Sequence, residues 1–227
     1  MSASPPERTP GKKAILIVDD HPLMRRGLTA LIDSEPDLVV CAEAGNRQAA
    51  LEAIARRPPD MAIVDLSLEG GEDGLDLVKA LKIRRPSIPA LALSMHPEAV
   101  YAERALRAGA RGYLAKQQLG EAVLAAIRRV LAGRIYMSEA LGVELASRFV
   151  GGESKPQSPF ASLSDRELQV FRLIGEGRRT REIAPILNLS PKTIESYREH
   201  LKQKLNIDAA PELVRRAVRF VETGEIH

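Results

Sequence analysis

Five short, almost wholly apolar runs alternate with longer amphipathic stretches along the N-terminal part of the chain. The runs cover residues 14 to 18, 38 to 42, 61 to 65, 89 to 94 and 111 to 115. Each has strand length and no clear wet face, the pattern of strands buried on both sides in a parallel sheet. The stretches between them start near Pro22, Asn46, Asp73, Pro97 and Leu119 and read as helices, punctuated by Pro58-Pro59, Arg85-Pro86 and Gly109-Ala110-Arg111-Gly112. Strand and helix in alternation predict an α/β domain whose sheet is covered on both faces.

The pattern then changes. Ser138 to Val150 reads as one further short helix, and Gly151 to Pro159 breaks all periodicity in a Gly/Pro/Ser-rich stretch suited to a domain linker. Beyond it, Ser164 and Glu167 have the spacing of a capping box flanked by Leu163 and Leu168, and Val170, Phe171 and Ile174 form an inward face. A second helix is predicted from Thr180 through Leu187. After a tight turn at Asn188-Leu189, a third starts with Ser190 as cap and Pro191 at its first position. Ile194, Tyr197, Leu201 and Leu205 line one face of it, while Lys192, Glu195, Ser196, Glu199 and Lys202 line the other. Two short helices joined by a tight turn, the second polar outward, match a helix-turn-helix.

Composition narrows the class. At 227 residues the chain accommodates two small domains. Cys41 is the only cysteine, which excludes a disulfide framework and a cysteine-based metal site, and fits a reducing cytoplasm; its apolar run predicts a core position. The Ser/Pro/basic start lacks the apolar stretch of a signal peptide and is expected to be a disordered leader over residues 1–12, and no apolar segment is long enough to span a bilayer. The net charge of +3 divides evenly: residues 161 to 227 hold 12 Lys+Arg against 10 Asp+Glu, the rest 21 against 20. Contact with DNA therefore has to come from local placement of cations, not from a strongly positive domain.

The chemistry sits at the strand ends. Asp19 and Asp20 close the first run and Asp65 closes the third. If these strands are neighbours, three carboxylates gather at the carboxyl edge of the sheet, where open α/β folds bind ligands. Three uncompensated acids call for a hard divalent cation such as Mg2+, which takes carboxylate and phosphate oxygens. The fourth run ends in Ser94 and the fifth in Lys116, a hydroxyl and an ammonium that suit a phosphoryl group. A metal, a Lys and a hydroxyl around one carboxylate nucleophile suffice for in-line phosphoryl transfer.

At these residues the chain resembles a two-component response-regulator receiver domain. The resemblance implies a doubly wound, flavodoxin-like five-stranded parallel sheet of order 2-1-3-4-5. It implies Asp65 as phosphoacceptor, Asp19 and Asp20 with Asp65 and the Ser67 backbone carbonyl at Mg2+, Ser94 as switch hydroxyl, Tyr113 as switch aromatic and Lys116 as phosphate-pairing cation. A bland reading of Tyr113 as a packed core ring stands beside this. His21 reads as a loop residue beside the acids, and His96 lies where receivers tune access of water.

Leu163-Ser164-Asp165-Arg166-Glu167, Arg181-Glu182-Ile183-Ala184, Ser190-Pro191-Lys192-Thr193-Ile194 and Lys204-Leu205 resemble the LuxR-type output domain of NarL/FixJ response regulators. The expected layout is a leader at 1–12, a receiver at 13–135, a linker helix and flexible linker at 136–160 and a small all-α DNA-binding domain at 161–227. By that resemblance Glu195, Ser196 and Glu199 face base edges, and Arg181, Ser190, Lys192, Thr193, Arg198 and Lys202 contact phosphates. Glu195 and Glu199 either select cytosine through its N4 amino group or form salt bridges along their own helix. Leu213, Val214, Ala217 and Val218 are the expected dimer contacts, with core packing as the alternative. The implied protein is not an enzyme on external substrates. It is a transcription regulator that a histidine kinase phosphorylates and that then binds double-stranded DNA as a homodimer, with RNA polymerase as a further candidate partner. The rival is a regulator whose phosphorylation changes protein contacts and never DNA binding.

Three departures from the pattern matter. The loop Leu66 to Gly74 lacks a proline common in receivers and is longer than their pattern by one residue, with extra glycines and acids from Glu69 to Asp73. Gln117 follows Lys116 where many receivers have proline, leaving the isomer of that bond open. Pro185 lies inside the second output helix and is expected to kink or shorten it.

Overall fold

The computed structural model describes residues 11–68, 74–95, 98–151 and 159–223. The expected leader up to residue 10, the loop from Glu69 to Asp73, His96 and the linker residues 152–158 lie outside the described residues. The chain divides into two compact units, Met1–Gly142 and Val143–His227.

In the first unit, strands β1 (Lys13–Val18), β2 (Leu38–Ala44), β3 (Met61–Asp65), β4 (Ala90–Ser94) and β5 (Gly112–Ala115) form one sheet of order β2-β1-β3-β4-β5. Every neighbouring pair is parallel. Helices α1 (Pro22–Asp33), α2 (Arg47–Arg56), α3 (Gly74–Arg84), α4 (Glu98–Ala108) and α5 (Glu121–Leu131) connect and cover it. Local signals set the helix starts: Pro22 occupies the first turn of α1, and Asn46 caps α2 by accepting from the Ala49 amide at 2.8 Å. The apolar runs read from the sequence are the core. Ile15, Ile17, Met61, Ile63, Leu91 and Leu93 are all buried and pack with Leu28 and Ile32 of α1 and Val123 and Ile127 of α5.

Parallel pairing in register places the carboxyl ends side by side: Val18 pairs with Val64, and Asp65 with Leu93. The acids of β1 and β3 therefore meet at one edge. Cys41 is half-buried, short of the predicted core position, because β2 is an edge strand with one flank unpaired. Asp33 occupies that flank and accepts from the Val40 amide at 2.7 Å, which blunts the edge. On the opposite side, Tyr136 extends pairing beyond β5 through a parallel bridge to Gly112. The chain thus stays with the first unit past position 135, where the sequence placed the boundary.

Helix α6 (Glu139–Gly151) follows, one residue later at each end than predicted. The second unit contains α7 (Asp165–Gly175), α8 (Thr180–Ile186), α9 (Pro191–Lys204) and α10 (Ala210–Thr223). Ser164 and Glu167 form the predicted capping box, and Ser190 caps α9 by accepting from the Thr193 amide. Phe160, Phe171 and Phe220 stack as a tilted trio with centroids 4.8 to 5.6 Å apart. Pro185 shortens α8 to seven residues rather than displacing its partner. The turn to α9 is closed by the Leu189 amide on the Ala184 carbonyl at 2.8 Å, with Asn188 at a φ of 52°, a left-handed position asparagine tolerates. No cis peptide bond occurs among the described residues, so the Lys116–Gln117 bond is trans.

Candidate functional site

Each acid is delivered by the end of its strand. Asp19 and Asp65 are each 1 % exposed, and their carboxylates converge on one cation. Lys116 Nζ, at the start of a 3-10 turn after β5, donates to Asp19 Oδ2 at 2.6 Å and to Asp65 Oδ2 at 2.7 Å. The second oxygen of each acid is held by backbone: His21 N–H donates to Asp19 Oδ1 at 2.8 Å, and Ser67 N–H to Asp65 Oδ1 at 3.0 Å. Such double anchoring fixes the carboxylate planes, which positions the atoms a phosphoryl group would meet.

One ammonium does not balance three acids. Burial pushes the Asp65 carboxyl above the usual carboxylate range, by more than the charge and hydrogen bond of Lys116 draw it down. Burial also opposes charge on Lys116, yet Asp65 and Asp19 outweigh it and hold the ammonium's pKa above the ordinary lysine value. Asp20 Oδ1 is buried without a hydrogen bond; His21 Nδ1 approaches it to 2.8 Å, but out of hydrogen-bond alignment. Donor atoms of Asp19, Asp20, Asp65 and His21 lie within 4.8 Å of one another. Three carboxylates at the sheet edge, one with an unsatisfied oxygen, beside the exposed His21 fit a hard divalent cation.

Two features of this edge were not anticipated. A Cβ at Gly74, the first residue of α3, would overlap the Asp65 carbonyl, so the backbone of α3 rests directly on the end of β3. Arg25 of α1 donates from Nη1 to the Asp19 carbonyl at 2.6 Å and from Nε to Glu43 at 3.3 Å; Thr29 Oγ1 holds the other Glu43 oxygen at 2.8 Å. The chance of reading Gly74 lay in its place just after a site loop, but nothing in the spacing of Arg25 and Glu43 marks their meeting.

Ser94 is fully buried at the end of β4 and its side chain bonds to Tyr113, which is 1 % exposed. Burial raises the phenol's pKa well above the ordinary tyrosine value, with the Ser94 bond acting against it and Glu98 and Asp65 adding to the rise. The predicted switch pair is therefore in direct contact behind the acidic site. Gln117 Nε2 donates to the Met95 carbonyl at 3.1 Å, tying the β5 end to the β4 end.

In the second unit, α9 presents the predicted polar face. Both acids of that face are engaged: Glu195 Oε1 accepts from Thr180 Oγ1 at 2.6 Å with Arg198 Nε 3.9 Å from Oε2, and Glu199 Oε2 pairs with Lys202 Nζ at 2.8 Å. A groove of about 470 Å³ runs beside this face, with Arg178, Arg179, Glu195, Arg198, Glu199 and Lys202 among its lining. Arg178, Arg179, Arg181 and Lys192 are exposed and form no ion pair among the described residues. Arg179 stands at the N-cap of α8, where it offers no acceptor to the helix. Glu182 in the first turn supplies an anion at this helix start, its Oε2 accepting from the Arg179 amide at 2.8 Å. Arg178 and Arg179 were not among the predicted contacts.

The expected dimer residues separate into two groups. Leu213 and Ala217 are buried, at 1 % and 0 % exposure. They face α7, where a Cβ at Gly175 would overlap the Ala217 carbonyl. Their role is core packing, which corrects the expectation that they meet a second copy. Val214 at 37 % and Val221 at 39 % exposure are the apolar positions α10 turns outward, with Val218 half-buried between them.

Comparison with known proteins agrees with both halves. Residues 15–128 match the response regulator receiver domain, and residues 161–217 match the bacterial regulatory proteins of the luxR family. The chain is a NarL/FixJ-type response regulator. It is 34 % identical over 209 residues to the oxygen regulatory protein NreC of Staphylococcus carnosus, covering 90 % of this chain and 96 % of NreC. It is 35 % identical over 205 residues to the response regulator UvrY of Escherichia coli K12, covering 90 % and 93 %. Among solved structures it is similar to RcsB of Salmonella enterica serovar Typhimurium bound to the promoter rprA in the presence of the phosphomimetic BeF3-. That likeness has a TM-score of 0.66 at 25 % identity and covers 91 % of this chain and 98 % of RcsB. The response regulator thus joins a receiver to a LuxR-type DNA-binding domain, and no helix among its described residues is long and apolar enough to cross a membrane.

Proposed function

We propose that Asp65 accepts a phosphoryl group from a partner histidine kinase or a small phosphodonor, and that this change controls sequence-selective DNA binding by a homodimer. The observation that carries the reading is the convergence of Asp19, Asp65 and Lys116 at 2.6 to 2.7 Å at the carboxyl edge of the sheet. An Asp65 oxygen attacks the phosphorus in line as the donor's leaving group departs, so the chain's work is positioning and charge compensation. Asp19, Asp20, Asp65 and the Ser67 carbonyl would hold Mg2+, which would supply positive charge opposite the transferred group. Lys116 pairs with a phosphoryl oxygen, and Ser94 turns toward another. Ser94 leaving Tyr113 would alter the packing of that ring, which is how the β4 and β5 ends sense the modification.

In the output domain, α9 enters the major groove, with Glu195, Ser196 and Glu199 toward base edges. Arg181, Ser190, Lys192 and Thr193 meet phosphates, joined by Arg178 and Arg179, whose side chains form no ion pair among the described residues and are available to an external polyanion. Arg198 and Lys202 carry donors beyond those facing Glu195 and Glu199 and turn them to phosphates. A single module of this size makes few phosphate contacts, so two copies on paired half-sites supply usable affinity, with Val214 and Val218 on the outward side of α10 as contacts. RNA polymerase is a further partner for a regulator seated on a promoter.

The test is covalent incorporation. Incubated with Mg2+ and acetyl phosphate, the intact chain should gain one phosphoryl group, and Asp65→Ala should gain none. Equal incorporation in the variant, or none in the wild type with any donor or kinase, contradicts the reading.

A further inference from the structure

Residues 135 to 138, just before α6, are tied to three elements of the receiver. Arg129 of α5 donates to the Ile135 carbonyl at 2.9 Å. Tyr136 pairs with β5 in both directions: its amide donates to the Arg111 carbonyl, and its carbonyl accepts from the Tyr113 amide, each at 3.0 Å. The Ser138 amide donates to Glu98 Oε1, in the first turn of α4, at 3.1 Å. Ser138 then caps α6, its hydroxyl accepting from the Leu141 amide at 3.2 Å and its carbonyl from the Gly142 amide at 3.0 Å. Leu141 is buried at 6 % exposure, so the first turn of α6 is anchored within the receiver unit.

The close approach of Tyr136 depends on one glycine. A Cβ at Gly112 would lie 3.0 Å from Tyr136 Cβ, 3.1 Å from its carbonyl oxygen and 2.9 Å from Leu91 Cδ1. Leu91 is fixed in the sheet core, so the added methyl would displace the strap instead.

We propose that the segment Ile135–Ser138 is a strap by which the receiver sets the start of α6, and that Glu98 and Gly112 are the positioning residues that connect it to the Ser94–Tyr113 pair. The inference rests on the phosphorylation reading above. Tyr113 is bonded through its side chain to Ser94 and through its amide to Tyr136, so one residue touches both the switch and the strap. Glu98 lies on the helix that follows Ser94 and holds the next hydrogen bond along the strap. A displacement of Ser94 toward a phosphoryl group acts on the strap at both points. Since α6 leads to the output domain, the orientation of its first turn is the quantity the strap controls. Coupling carried by discrete hydrogen bonds of a packed segment is the form in which a two-state element transmits a binding event.

The test uses the full-length chain, Mg2+ and beryllofluoride, with a duplex selected by the wild type from a random library. The readout is the ratio of Kd without and with beryllofluoride, for wild type, Glu98→Gln, Glu98→Ala and Gly112→Ala. A coupled regulator of this kind shows a ratio of about 5 to 150. The strap predicts that Glu98→Ala and Gly112→Ala bring the ratio close to one. Glu98→Gln, which keeps an acceptor oxygen, should retain most of it. Beryllofluoride binding itself, followed by calorimetry, should persist in all three. Hydrogen exchange of the Ser138 and Leu141 amides gives a second reading that needs no DNA: beryllofluoride should change their protection in the wild type and not in Glu98→Ala. Wild-type ratios and exchange responses in both disruptive variants would overturn the strap while leaving the phosphorylation reading intact. A wild type that binds beryllofluoride but shows neither response overturns both the switch and the strap.

Discussion

Lys116 donates to Asp65 across 2.7 Å and so joins the ends of β5 and β3, two strands that are not neighbours in the sheet. The same ammonium reaches Asp19 at 2.6 Å, so one lysine spans both buried carboxylates. Replacing it with Gln leaves both carboxylates buried without their charge partner, a change that costs about 3–5 kcal/mol in buried pairs. Lys116→Gln should therefore lower the melting temperature without Mg2+ and recover part of the loss when Mg2+ is added. Beryllofluoride affinity should fall about 10- to 100-fold, the worth of one charged hydrogen bond, while Mg2+ affinity holds or rises because a competing cation is gone. Calorimetric titration of both ligands checks the opposite signs.

Gly74 sets the position of Asp65 from behind. Gly74→Ala places a methyl against the Asp65 carbonyl, and the overpacking should cost about 1–3 kcal/mol. Because the strained atom belongs to Asp65, the proposed site of phosphorylation, phosphoryl incorporation should drop more than stability does. Urea unfolding and incorporation from acetyl phosphate, measured on the same preparation, separate the two effects.

Tyr113 should ionise well above the ordinary tyrosine range, because burial holds its phenol neutral. A raised folded pKa means its contribution to stability is full below the ordinary value near 10 and declines as pH rises through and beyond it. Ultraviolet titration should show a late wave that Tyr113→Phe removes. Losing the bond to Ser94 should cost about 1 kcal/mol.

Glu167 behaves in the opposite sense. Burial would raise its pKa, but Lys204 at 2.7 Å and the Ser164 cap outweigh that and lower it below the ordinary 4.5. A depressed pKa contributes stability above 4.5 that is lost as pH falls through the folded value. Output-domain amide signals in the full chain should therefore show weakening against urea below pH 4.5, and Glu167→Gln should flatten that dependence. An unchanged slope in the variant would place the acid sensitivity elsewhere.

The cation arrangement around α8 and α9 predicts how DNA binding responds to salt. Arg178→Ala, Arg179→Ala, Arg181→Ala and Lys192→Ala should each weaken all duplexes alike and reduce the salt slope by about one. Glu195→Gln and Glu199→Gln should instead alter which duplexes are preferred. Selection from a duplex library at two salt concentrations distinguishes backbone contacts from base readers.

The sheet was legible because its five strands are mostly apolar and four of them end in chemistry-bearing residues, so period and composition pointed the same way. The acids, Ser94 and Lys116 could be placed together once the strand order was known, since parallel register aligns carboxyl ends. What escaped the sequence depends on contacts between elements far apart in the chain. Arg25 meeting Glu43, Glu98 meeting Ser138 and Gly112 making room for Tyr136 have no spacing signature. The α10 positions were misjudged for a related reason: Leu213 and Ala217 look like an exposed apolar stripe until the close approach of α7 at Gly175 is seen. Cys41 was assigned to the core because an apolar run does not reveal whether its strand lies at an edge.

The central claim is that phosphorylation of Asp65 governs DNA binding. The measurement that tests it most directly is the affinity of the purified full-length chain for library-selected duplexes, with and without Mg2+ and beryllofluoride, beside Asp65→Ala. The account predicts sequence-selective, salt-sensitive binding that strengthens with the mimic in the wild type and not in the variant. Selective binding that ignores the mimic contradicts the switch, and the absence of selective binding under every condition contradicts the DNA-binding role, leaving a regulator that works through protein contacts alone.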